Sequence, residues 1–211
     1  RDGVPEQNSG LFNSTDMKNR NLIIALVVIV AILGIWSVNS YNSLVSAEEG
    51  VDAQWSQVEN VYQRRADLIP NLVNTVKGYA DFEQQTLTDV IEARSKATSV
   101  QIDPSNISEA SIQQFQAAQD QLSGALSRLL VTIERYPDLK ANKSFLELQA
   151  QLEGTENRIT VERNKFNEQA RIYNTSIRRF PKNLFAGMFN FERKGYFQAV
   201  EGAEQAPVVE F

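Results

Sequence analysis

The chain contains no cysteine and no histidine. The first absence excludes thiol nucleophiles, disulfides and zinc–thiolate sites, and the second removes imidazole acid–base chemistry. The redox compartment stays open, because a cysteine-free chain suits both reducing and oxidising ones. Glycine and proline are scarce, at 10 and 6 in 211 residues, and a long middle with few breakers favours helix. A basic surface is also missing. The net charge of −5 gives no reason to expect nucleic acid as a partner. No phosphate loop, metal-ligand cluster or nucleophile motif occurs. Catalytic, cofactor-binding and metal residues are therefore all assigned as none, and no small-molecule substrate is identified.

What is present begins with an uncharged run, Leu22 to Val38, reading LIIALVVIVAILGIWSV. As a helix it spans roughly 25 Å, and continued to Tyr41 it reaches the ~30 Å of a bilayer core. Trp36 and Tyr41 stand at one end, where aromatic belts sit. A buried core helix and a cleaved signal peptide are the competing readings. The first is disfavoured by the absence of any polar face, the second by the length of the run. Residues 21–41 are read as a signal anchor. Lys18 and Arg20 precede it closely, whereas no Lys or Arg follows until Arg64. The positive-inside rule then puts the N-terminus in the cytoplasm and the large domain outside, on the periplasmic or extracellular side. Residues 1–20 are expected to be an irregular cytoplasmic segment, and Met17 resembles a natural start.

Beyond the anchor the apolar pattern is helical. Val51, Trp55, Val58, Tyr62, Arg65, Ile69, Leu72, Val76 and Tyr79 recur at spacings of four and three, and Leu87, Val90, Arg94 and Ala97 resume the stripe. A second stripe runs from Ile112 through Phe115, Gln119, Leu122 and Ile133 to Tyr136. A third runs from Phe145 through Ile159, Glu162, Phe166 and Tyr173 to Phe180. Such periods mark one buried face per helix. Pro104 and Pro137 fall between the stripes. The expectation is an all-α protein: a transmembrane helix, then an up–down antiparallel bundle of three long helices, with a short C-terminal helical element. The domain reading is a stalk over 42–65, a bundle over 66–182 and an aromatic tail over 183–211 that packs on the bundle's distal end or docks on a partner or membrane.

Three groups stand out. Arg94, Gln119 and Glu162 are polar residues within apolar stripes, and the expected register brings them to one buried polar layer that fixes alignment. Arg64, Arg65, Pro70, Pro137 and Asp138 form a candidate packing motif. In it Pro70 faces Pro137, the arginines reach Asp138, Glu134 or the carbonyls ending the second helix, and Pro70 frees a carbonyl and kinks its helix. Val51, Trp55, Val58 and Tyr62 lie below the expected bundle with no helix to cover them. An exposed stripe of that kind predicts self-association, and hence a homo-oligomer.

RRADLIPNLVNTVKGYADFE (Arg64–Glu83), LSRLL and ERYPDLKAN within Leu126–Asn142, TENRITVERNKFN (Thr155–Asn167), Tyr173-Asn174 and Phe180-Pro181 together resemble the LemA family over about residues 18–200. Departures are Phe166-Asn167, where the family often shows Tyr-Asn, and KGYF (Lys194–Phe197), where paired phenylalanines are common. The resemblance implies a bacterial membrane protein with one N-terminal anchor and a helical outer domain. It implies no agreed activity, no recognised catalytic residue and no cofactor. A magnetosome-associated member suggests membrane organisation. Members encoded beside a membrane metalloprotease suggest envelope quality control, with an envelope protein as partner. The leading expectation is a non-enzymatic, self-assembling envelope scaffold, and the alternative an adaptor or regulator of a membrane protease.

Overall fold

The computed structural model describes residues 11–78 and 83–198, with side chains from residue 19. Residues 1–10 of the expected N-terminal segment, Tyr79 of the first stripe and the end of the tail, 199–211, lie outside the described residues. All regular elements among the described residues are helical, and the all-α bundle expected from the stripes is what forms.

Helix α1, Leu11–Lys77, is 67 residues long, roughly 100 Å at 1.5 Å per residue. It includes residues 11–20, which are helical and not irregular as expected. The apolar side chains from Leu22 to Val38 are exposed, and one helix in the described chain is long and apolar enough to cross a membrane. From Leu44 outward α1 turns one face inward.

The first stripe does not stay on one helix. Helix α1 ends at Lys77, beside Gly78, a residue that weakens helix by about 1 kcal/mol relative to alanine. Helix α2, Gln84–Ser99, then folds back along α1. A 3₁₀ turn over Pro104–Asn106 follows, in which Asp103 accepts a hydrogen bond from the Ser105 backbone. Helix α3, Glu109–Ile133, runs outward again and is capped by Ser108, whose side chain accepts from the Ser111 N–H. The short α4, Pro137–Lys140, turns the chain. Helix α5, Lys143–Arg178, is capped by Asn142 and returns along α1 as its main partner. The bundle therefore has four long helices. The extra reversal makes α1 and α3 parallel, which changes every register drawn between them.

The last helix among the described residues is α6, Lys182–Met188, beside the end of the uncharged run of α1. Asn190 adopts a left-handed φ of 57°, and the Phe191 N–H bonds the Ala186 carbonyl at 2.9 Å. This is a Schellman-type closure, one that asparagine tolerates. Residues 191–198 then run extended back up the bundle as a strap. The described part of the tail, to residue 198, thus sits at the end nearest the uncharged run and along the bundle's flank, not at the distal end. The core has a lower cluster from Leu44 to Tyr62 on α1 and an upper one beginning at Ile69.

Candidate functional site: two buried cations in the bundle

The boundary between the two core clusters is polar. Arg65 is 2% exposed. One terminal nitrogen donates to Ser123 Oγ at 2.9 Å and to Glu156 Oε2 at 3.0 Å, and the other to Gln119 Oε1 at 2.6 Å. Gln119 donates in turn to the Ala97 carbonyl at 3.1 Å. Arg65 also lies over the Tyr62 ring at 5.1 Å, and burial raises the phenol's pKa despite the nearby cations. A planar fork with five donors suits such a three-helix junction, since it can address α3 and α5 together.

A buried polar layer exists, then, but with a different membership. Of Arg94, Gln119 and Glu162, only Gln119 belongs to it. Its cation is Arg65 and its anion Glu156. Arg94 is displaced because α2 is a separate helix. Its Nε donates to the Ala66 carbonyl at 2.7 Å. That carbonyl is the one Pro70 strands, being four residues earlier and facing a nitrogen with no hydrogen. The helix continues through Pro70, with Arg94 supplying the missing donor. Glu162 is half-buried and faces outward, accepting from Lys165 at 2.8 Å and Gln54 at 2.7 Å. The Lys165 bond, then that of Gln54, holds its pKa down.

The packing motif expected around the second turn does not assemble. Arg64, Pro70, Pro137 and Asp138 are exposed, and Glu134 pairs with Lys140. Arg65 lies level with Gln119, Ser123 and Glu156, well below that turn, because α1 and α3 run parallel.

The uncovered stripe is also corrected. Val51, Trp55 and Val58 are 0% exposed and Tyr62 6%. The returning α5 covers them with Ile159, Phe166 and Ala170, α3 adds Phe115, and the strap adds Phe197. Trp55 stacks on Phe197 at 6.0 Å and meets Phe115 and Phe166 edge-on. Residues 42–65 are the lower half of the bundle, and the premise for self-association through them is gone.

The second buried cation was missed altogether. Lys194, on the strap, is 5% exposed. Its Nζ lies 3.0 Å from Glu48, 3.6 Å from Asp52 and 3.5 Å from the Pro104 carbonyl. Asp52 Oδ1 is buried without a hydrogen bond, and burial raises its pKa against the pull of Lys194. Burial, then the charge of Glu48, pushes Tyr173 ionisation far up. Side-chain amides hold the strap backbone at two points each. Asn174 accepts from the Lys194 N–H at 2.9 Å and donates to its carbonyl at 2.8 Å. Asn167 does the same at Phe197, both at 2.9 Å, and Gln116 does so at Gln198. Gly195 passes so close that a Cβ would lie 2.7 Å from Glu109 Cα. A signal for this clamp was present in the sequence, as an aromatic–Asn pair (Phe166-Asn167, Tyr173-Asn174) that recurs after one heptad.

The 380 Å³ cleft beside the upper cation is lined by Tyr62, Ala66, Ala97, Phe115 and Gln119, which are committed to packing or to the Arg65 network, and also by Glu59, Asn60 and Gln101. Among the described residues no group of three acidic, His or Cys side chains could hold a metal.

The LemA family model matches residues 54–211, which includes both clamp asparagines, Arg65 and the strap. The chain belongs to the LemA family. This LemA-family chain is 26% identical to Protein LemA of Metamycoplasma hominis over 179 residues, covering 85% of the chain and 78% of that protein. It is 26% identical to Magnetosome protein MamQ of Magnetospirillum gryphiswaldense over 188 residues (80% of the chain, 68% of the relative). With Magnetosome protein MamQ 2 of Paramagnetospirillum magneticum it shares 24% over 207 residues (89% and 75%). Family and apolar helix together make it a membrane-associated helical protein.

Proposed function

We propose that this chain is a non-enzymatic, single-pass scaffold of the bacterial cell envelope, presenting a rigid helical bundle at the membrane surface. The observation that carries this reading is how the polar interior is used. Both buried cations direct their terminal nitrogens to partners that fix helix register and fasten the C-terminal strap, while Arg65 Nε is buried without a partner. What remains for other molecules is the outer helix surface, held at the membrane by α1. Relatives named as magnetosome proteins support a part in membrane organisation. The Lys18 and Arg20 flank supports a cytoplasmic N-terminus, with the bundle outside the inner membrane.

The test is the composition and mass of the full-length protein after gentle detergent extraction. A complex of several copies, or with a stoichiometric envelope protein, is expected. Constant association with a membrane protease would favour the adaptor reading instead. A bare monomer carrying only lipid and detergent would sink both.

A further inference from the structure

Helix α6 leaves an apolar face uncovered at a particular depth. Phe185 meets Trp36 edge-on at 5.6 Å, and Phe189 meets Tyr41 at 4.8 Å. Both partners stand on α1 at the end of the uncharged run, with Trp36 roughly 7 Å deeper than Tyr41 along the helix. If α1 spans the bilayer, α6 lies within the boundary between headgroups and acyl chains. It does so with Phe180 80%, Leu184 59%, Met188 73% and Phe189 51% exposed. Leu184 and Met188 are four residues apart and share a face. The same stretch is basic in a chain whose net charge is −5. From Arg178 to Phe191 it carries Arg178, Arg179 and Lys182 and no acid. Arg178 and Arg179 are exposed, and Lys182 reaches back to Ser43 Oγ at 2.7 Å, on the first turn beyond Tyr41.

We propose that α6 is a second membrane contact, a short interfacial foot seated in the leaflet on the bundle's side. Leu184, Met188 and Phe189 enter the acyl boundary, and Arg178, Arg179 and Lys182 face the phosphates of acidic phospholipids. The occupant is lipid, not protein, because the contacts with Trp36 and Tyr41 already fix this face at bilayer depth. Docked this way, the bundle is held at two points and cannot swivel freely about α1.

The chain has no cysteine, so single-site labels test the foot directly. The full-length protein would carry a nitroxide at Leu184→Cys or Met188→Cys. Ile29→Cys would mark the span and Val131→Cys an exposed apolar site at the far end of the bundle. Each is reconstituted into vesicles of phosphatidylcholine with phosphatidylglycerol, and collision with oxygen is compared with collision with a water-soluble nickel chelate. Several-fold protection from nickel at 184 and 188, relative to 131, is expected. Nickel accessibility at 184 and 188 equal to that at 131, with Ile29 protected, overturns the foot while leaving the anchor intact. An accessible Ile29 overturns both. Replacing Arg178, Arg179 and Lys182 together by Gln should move the 188 label outward, as should vesicles of phosphatidylcholine alone. Unchanged depth in both cases overturns the acidic-lipid contact.

Discussion

Arg65 and Lys194 are both buried cations, yet they are held in opposite ways. Arg65 belongs to a helix, and its partners Gln119, Ser123 and Glu156 are on other helices. Lys194 belongs to an extended strap and is held by Glu48 and Asp52 on α1. The Arg65 layer is a register device. Shifting any of the three helices by one residue would strand several donors and acceptors. The Lys194 site is a latch, in which one charge and three side-chain amides fix a segment with no helical bonds of its own. The charge balance also differs. Arg65 meets one acid whose side chain is 56% exposed. Lys194 meets two acids, and one of them, Asp52, is raised first by burial and only then by the charges of Glu48 and Glu49.

The largest effect should come from unseating the strap. Phe197→Ala removes a ring that packs against Trp55, Phe115 and Phe166. It should cost about 4 kcal/mol, read by thermal unfolding of the full-length protein in mild detergent. A loss under about 1 kcal/mol would mean that the strap is an accessory and not part of the core.

Arg65→Ala should cost about 3 kcal/mol, since it leaves Gln119 buried with one partner fewer. That loss should depend less on pH than loss of the latch cation, because Arg65 faces one acid and Lys194 faces two. Lys194→Met should cost about 2 kcal/mol at pH 7 and recover part of it on acidification. With the ammonium gone, two carboxylates face each other across a turn and the folded state takes up protons more readily than the unfolded chain. A carboxylate whose folded pKa is raised contributes stability at low pH that is lost as pH rises through the folded value. Equal pH responses in the two variants would erase the distinction between register layer and latch.

The smallest effect has the opposite sign. Asp52 is raised in the wild type, chiefly by burial, so its ionised form costs stability at neutral pH. Asp52→Asn should raise the unfolding temperature slightly at pH 7, and the gain should vanish below the unfolded carboxylate range. A clear loss at pH 7 would show that the attraction of Lys194 for Asp52 outweighs its desolvation.

Much of the upper bundle was legible from periodicity. The stripes through Ile69, Leu122 and Phe145 named the core correctly because a buried helical face repeats whatever its partner. Gln119 was legible as a buried polar residue for the same reason. What stayed hidden was pairing. Arg94 shares the spacing of its stripe with Arg65, whereas Glu156 lies off the third stripe, next to Thr155, and spacing gives the face a residue occupies, not the helix it meets. The break at Gly78 decided that question. It interrupts a pattern that otherwise continues in phase, so the sequence reads as one helix where the chain makes two.

The sequence by itself determined an all-helical chain with one uncharged span near its start, because hydrogen-bonding period and hydrophobicity are local properties. Only the tertiary structure decided that the Trp55 stripe is internal and that a lysine from an extended tail lies beneath it. Both depend on α5 and the strap returning more than a hundred residues later to the same stretch of α1, where they bury the apolar face and compensate the charges that burial would otherwise strand.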